Sequence, residues 1–265
     1  ITQQKLDLEV GLTLFCLGLL KKVVLADTAS GFANPVFEAA GHGEYLTFFE
    51  AWIGTLSYAF QIYFDFSGYS DMAIGLARMF GIHLPLNFFS PYKAHNIREF
   101  WQRWHITLSR FLRDYVYFSL GGNRRGISRT FINIMFTMLI GGLWHGAAWT
   151  FVCWGGLHGL LLLLHRVWIK LTLPIRPKLE ASSLMHLISI VITFISVCWC
   201  WVLFRADNFL AASIVYKGML GFNGYVLPPE ALVVFGKTAA WFQNIGMEFH
   251  TVRYFYSSHQ LEWLP

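Results

Sequence analysis

The chain has 265 residues, 55% hydrophobic and 18% aromatic, and only 13% are charged, about half the ~25% usual in a soluble domain. A mean hydropathy of +0.48 goes with a net charge of +5, and a soluble core of this length has no need of so much apolar surface. Several apolar runs approach the roughly 20 residues that cross a bilayer, so the expected fold is all-α, a polytopic transmembrane helical bundle.

The first residue is Ile and the last is Pro, and the expectation is a fragment of a longer protein, with 1–265 forming a single but partial membrane domain. Residues 10–20 form an apolar run of signal-peptide length. Asp7 and Glu9 precede it, Lys21 and Lys22 follow it, and no small-residue cleavage site appears, so the charge order is wrong for a signal. The four cysteines (Cys16, Cys153, Cys198, Cys200) lie in apolar segments without ligand spacing, which makes them packing residues and predicts no metal site.

Residues 51–64 are apolar but too short to span alone. Just beyond, Asp65 stands among Tyr63, Phe64 and Phe66, where an unpaired carboxylate is costly. It should meet an arginine or histidine from another helix. Ser70 has the chemistry of an N-cap for a helix running to about Phe80, with Asp71 in its first turn and Gly81 closing it.

Between positions 78 and 129 stand nine Lys or Arg against two acids, Glu99 and Asp114, a local net charge of +7. A second basic segment carries Arg166, Lys170, Arg176 and Lys178, with Pro174 and Pro177 marking a loop. The positive-inside rule puts both on the cytoplasmic face and requires an even number of crossings between them. Residues 130–165 contain no Asp, Glu, Lys or Arg and accommodate two short spans, turning near "GGLWHGAAW". Residues 181–204 form one further span.

Within 91–129, "NIREFWQRWHITLSRFLRDYVYFSLGG" reads as one amphipathic helix on the cytoplasmic side. Ile97, Trp101, Trp104, Leu108, Phe111, Tyr115 and Phe118 recur at helical spacing, with Asn96 and Glu99 as a capping box and Gly121 as the C-terminal cap. The plain reading is an interfacial helix. His105 borders its two faces with Ser109 one turn on, close enough for a Ser/His pair but without an evident third group. A polar histidine lining a substrate tunnel suits the position better. In "GGNRRG", Arg124 and Arg125 suit phosphate, although a glycine loop with arginines at a membrane face also serves topology alone. Nucleic acid is excluded as a partner by the apolar segments flanking this region.

His145 is an ionisable group inside the uncharged run, between Trp144 and Trp149 and beside Gly141, Gly142 and Gly146. Such groups usually face a cavity or a partner, and the glycines are expected to leave open space around the ring. His158 and His165 lack these surroundings and read as packing or interfacial residues.

Together "YFDFSGYSDMAIGLARMFGI", "NIREFWQRWHITLSRFLRDYVY", "SLGGNR" and "GGLWHGAAW" resemble the membrane-bound O-acyltransferase family, in its bacterial alginate O-acetyltransferase branch. The resemblance runs from Leu8 to Asp207, about three quarters of the chain. It implies a ring of helices around a tunnel joining a cytoplasmic donor to an acceptor across the membrane, and further spans preceding this segment. It places the catalytic histidine at His145 and the second functional position at His105.

On that resemblance His145 is the general base for acyl transfer from a thioester to a hydroxyl, and His105 orients the donor or stabilises the oxyanion. Trp144, Asp65 and Ser109 join the substrate-binding set, and Arg103, Arg110, Arg124 and Arg125 steer an anionic donor. No cofactor is bound; acetyl-CoA or another acetyl thioester is the donor substrate. The expected setting is the bacterial inner membrane, with membrane lipids, secreted or periplasmic acetyltransferase relay proteins and exopolysaccharide machinery as partners. The rival readings are a polysaccharide-conducting subunit and a membrane scaffold.

Overall fold

The computed structural model describes residues 7–174, 182–250 and 252. The chain divides into two compact units, one of residues 1–21 and 66–200, the other of residues 22–65 and 201–265.

In the first unit, α1 (Leu8–Leu20) lies against the later part of α3 (Phe48–Met79) through glycines spaced by seven residues. A Cβ on Gly11 would strike the carbonyl oxygen of Gly75, and one on Gly18 that of Gly68. The two backbones therefore touch, which is how small residues join helices that have no hydrophobic driving force between them in lipid. Ion pairs Arg78–Asp7 (3.3 Å) and Lys21–Asp71 hold the two ends of this contact.

Helix α3 carries residues 51–64 and runs without interruption to Met79, so Ser70 caps nothing. It is buried inside the helix, because residues 48–79 contain no proline and tertiary contacts outweigh its capping preference. Gly81, with φ +73, does end the helix, through Gly81 N–H to the Arg78 carbonyl and Ile82 N–H to the Ala77 carbonyl.

The expected amphipathic helix is broken in two. Helix α4 (Ile97–Arg103) ends on an extended Trp104, His105 has φ +41, and α5 (Ile106–Phe111) continues into a π-helical turn (Leu112–Tyr117). The cause lies in the preceding loop, which supplies competing hydrogen bonds. Ile106 N–H donates to the Asn87 carbonyl at 2.9 Å and Phe89 N–H to the Arg103 carbonyl at 2.9 Å. Asn96 caps α4 as expected, accepting from Glu99 N–H, while Glu99 reaches back to His95 N–H. The apolar stripe divides as well, one turn beyond the break: Ile97, Trp104 and Leu108 are buried, whereas Phe111, Tyr115 and Phe118 are exposed.

The uncharged run forms the predicted hairpin of α6 (Ile127–His145) and α7 (Trp149–Thr172), and α8 (Ser183–Arg205) matches the third expected span. These three helices are long and apolar enough to cross a membrane, and the protein is a multi-pass membrane protein. Arg176 and Lys178 of the second basic loop lie outside the described residues.

In the second unit, α2 (Asp27–Gly41) and α9 (Phe209–Met219) pack together, and Arg205 lies over the rings of Phe37 and Tyr58. Two short parallel strands, β1 (Tyr225–Leu227) and β2 (Met247–Phe249), follow. Asp65 belongs to this unit. Its partner is neither an arginine nor a histidine but Lys22, at 3.0 Å, and the two side chains are 47% and 42% exposed. Half-exposed, the pair escapes most of the desolvation cost and contributes about 0–1 kcal/mol.

Candidate active site

His105 and His145 meet in the first unit around the ring of Trp144. The tryptophan centroid is 6.3 Å from His105 and 5.0 Å from His145, and Trp144 is itself 61% exposed. Around His105 stand Phe66, edge-on at 4.7 Å, and Phe88 at 6.5 Å. His145 packs against Trp154 at 5.2 Å and Phe151 at 6.3 Å. Trp154 continues to His158 (4.8 Å), which is fully buried among Phe100, Trp101 and Trp154, as expected of a packing residue.

The glycines near His145 serve a different purpose from the one expected. A Cβ on Gly142 would run into the carbonyl oxygen of Phe151, one on Gly155 into that of Met138, and one on Gly146 into the Phe151 ring. They provide the backbone contact that clamps α6 to α7, not open volume, because two helices joined by a three-residue turn must converge where the turn begins. His145, last residue of α6, is thereby held by rigid helical packing.

His105 is held differently. It occupies the left-handed backbone region, which costs an ordinary residue roughly 1–2 kcal/mol. Its Nδ1 lies 3.1 Å from Asn87 Oδ1, and the same oxygen accepts from Thr107 N–H (3.2 Å) and the Thr107 hydroxyl (3.0 Å). Asn87 Nδ2 in turn donates to Ser70 Oγ at 3.4 Å. Burial pushes the His105 imidazole down to about 4, and charge on the nearby His145 acts in the same direction.

The remaining expected site residues distribute unevenly. The Ser109 hydroxyl donates to the Trp104 carbonyl at 3.1 Å, so it is committed to the helix break and forms no pair with His105. Arg103 is engaged by Glu99 (2.6 Å) and lies over the Phe89 ring, bracing α4. Arg110, Arg124 and Arg125 are exposed. Asp65 sits with Lys22 as described. Among the described residues no cluster of three His, Cys, Asp or Glu has metal-binding geometry.

Asn87, Phe66, Phe88 and Trp154 were not singled out from the sequence. Asn87 left one usable signal, a lone amide in the apolar stretch "LPLNFF".

Residues 2–204 match the family described as MBOAT, membrane-bound O-acyltransferase family. The chain belongs to this family. It is 46% identical over 251 residues to the peptidoglycan O-acetyltransferase of Helicobacter pylori, covering 94% of this chain and 45% of that protein. It is 45% identical over 217 residues to the probable alginate O-acetylase AlgI of Pseudomonas aeruginosa, covering 82% of this chain and 39% of that one. The teichoic acid D-alanyltransferase of Streptococcus thermophilus is 31% identical over 173 residues, covering 62% and 41%. The chain thus spans less than half the length of the curated relatives it matches.

Proposed function

We propose that the full-length protein is a membrane O-acetyltransferase that moves acetyl from a cytoplasmic thioester, acetyl-CoA or a similar donor, to sugar hydroxyls of a polysaccharide beyond the bacterial inner membrane. The observation that carries the reading is the meeting of His105 and His145 around Trp144 at one aromatic-lined centre. Alginate and peptidoglycan are the acceptor candidates, on the printed names of relatives 45% and 46% identical. The longer match to the peptidoglycan enzyme, 94% of this chain against 82%, favours a cell-wall acceptor. Exported relay proteins and exopolysaccharide machinery are the corresponding partners.

In the reaction, the acceptor hydroxyl oxygen attacks the thioester carbonyl while His145 takes its proton. The tetrahedral intermediate collapses with cleavage of the carbon–sulfur bond, the thiolate leaves, and the histidinium returns a proton to it. Trp144 offers a broad apolar face to the reacting groups. Arg110, Arg124 and Arg125, exposed cations, attract an anionic donor, while Arg103 contributes to the same field from its brace with Glu99.

The test compares wild type with His145→Gln in membranes of matched protein content, measuring base-labile acetate on the cell's polysaccharides. An amide hydrogen-bonds but takes no proton at neutral pH. The expected loss is about 100-fold to 10,000-fold. Activity within a few-fold of wild type would overturn the reading.

A further inference from the structure

We infer that Asn87 is a positioning residue that fixes His105 as the Nδ1–H tautomer, so that His105 presents its Nε2 lone pair to the acceptor hydroxyl and cannot serve as a hydrogen-bond donor to the oxyanion. The inference rests on the acyltransferase reading and assigns the second histidine its chemistry.

The argument begins with a backbone amide. Thr107 N–H can only donate, and it lies 3.2 Å from the Asn87 side-chain atom that also meets His105, so that atom is the amide oxygen. An oxygen takes hydrogen bonds and gives none. His105 Nδ1, 3.1 Å from it, must therefore carry the ring's hydrogen. In a neutral imidazole the second nitrogen is then bare. Among the described residues nothing hydrogen-bonds His105 Nε2, and the ring is half-buried, so the lone pair remains available.

Three further contacts hold Asn87 in place. The Thr107 hydroxyl donates to the same oxygen at 3.0 Å, Asn87 Nδ2 donates to Ser70 Oγ at 3.4 Å, and the Asn87 carbonyl receives Ile106 N–H at 2.9 Å. One residue of the 80–95 loop therefore holds both the backbone that follows the break and the imidazole at its apex, while Phe89, two positions on, holds the Arg103 carbonyl before it. This gives the left-handed conformation of His105 a purpose, since a regular helix through Trp104 and His105 would leave neither Thr107 N–H nor Nδ1 facing Asn87. An oxyanion role needs an N–H facing the reacting carbonyl, and the only N–H of neutral His105 is engaged. His105 instead holds the incoming hydroxyl by accepting its hydrogen bond until His145 takes that one proton as the oxygen attacks.

The groups packed around His105 are the rings of Phe66, Phe88 and Trp144 with Asn87, and the one titratable group whose charge acts on it is His145. A carboxylate at position 87 would keep accepting from His105 and Thr107 and add a charge that stabilises imidazolium. The experiment uses the full-length protein in two assays. In the first, membranes receive radiolabelled acetyl-CoA and de-O-acetylated cell-wall polysaccharide, and transfer is followed from pH 5 to 8. In the second, detergent-solubilised protein is treated with diethyl pyrocarbonate, which reacts with unprotonated imidazole nitrogen, and carbethoxylation of the His105 peptide is read by mass spectrometry against pH.

Asn87→Asp should move the His105 carbethoxylation midpoint to higher pH by about 1 unit or more and raise the acid limb of the transfer profile in parallel. Asn87→Leu should lower transfer about 100-fold, the lower end of what a positioned proton acceptor contributes. If Asn87→Leu fails to accumulate, the Asp variant, which still accepts from His105, Thr107 and Ile106, decides. An unmoved carbethoxylation midpoint in Asn87→Asp overturns the positioning role. So does near wild-type transfer by Asn87→Leu while His145→Gln is dead. Retained transfer by His145→Gln would remove His145 as the base, whereas no transfer by the wild type would sink the acyltransferase reading itself, and in either case the carbethoxylation midpoint would still decide whether Asn87 governs His105.

Discussion

The two histidines of the site are held by different physics. His145 ends a regular helix and owes its place to backbone contact between α6 and α7, where Gly142 and Gly155 remove every atom that would keep the helices apart. His105 stands at a break, in a backbone conformation unfavourable for any residue but glycine, and owes its place to hydrogen bonds from Asn87, eighteen positions before it. Packing without directional bonds fixes where a ring sits. Hydrogen bonding to a named nitrogen also fixes which of its atoms carries the proton.

The α6–α7 side of this contrast is broken most directly at Gly155. Gly155→Val would push a branched side chain into the Met138 carbonyl, and neither backbone can give way. Destabilisation of about 3 kcal/mol is expected, seen as a fall in folded, detergent-extractable protein. Normal yield would mean that the hairpin has room to spread.

The α4–α5 side is sharpened by comparing His105→Gly with His105→Ala. Both lose the imidazole and should lose transfer. Glycine, free of the left-handed penalty, should leave the protein about 1 kcal/mol more stable than alanine does, measurable as a higher thermal midpoint in detergent. Equal midpoints would show that the break relaxes once the ring is removed.

A smaller effect separates the two sides by pH. His105 has a folded-state pKa of about 4, below its ordinary value of 6.5. Between those values the unfolded chain takes up the proton and the folded one does not, so stability is complete above about pH 6.5 and declines as pH falls toward 4. The thermal midpoint should therefore drop less between pH 7 and pH 5 in His105→Gln than in wild type. An identical drop would remove His105 as a contributor to acid sensitivity.

The amino-acid sequence by itself determined the membrane class, the α6–α7 hairpin, the third span at 183–205 and the Asn96 cap, and it singled out the two histidines that the fold brings around Trp144. These follow from run length, charge placement and short motifs, all local quantities that the chain carries wherever it folds. Tertiary structure alone decided the rest. The stripe from Ile97 to Phe118 has unbroken helical spacing, yet the helix stops at Trp104 because loop residues offer its amides other partners, and periodicity does not register a competitor from elsewhere in the chain. The glycines beside His145 looked like open space in one dimension and are contact points in three, since a missing side chain permits a cavity or a close approach with equal ease. Asp65 announced its need for a cation, but which cation, and how wet the pair would be, depended on where the fold placed Lys22. The proton on His105 is set in the same way, by a side-chain amide oxygen eighteen positions away that only folding brings within 3.1 Å.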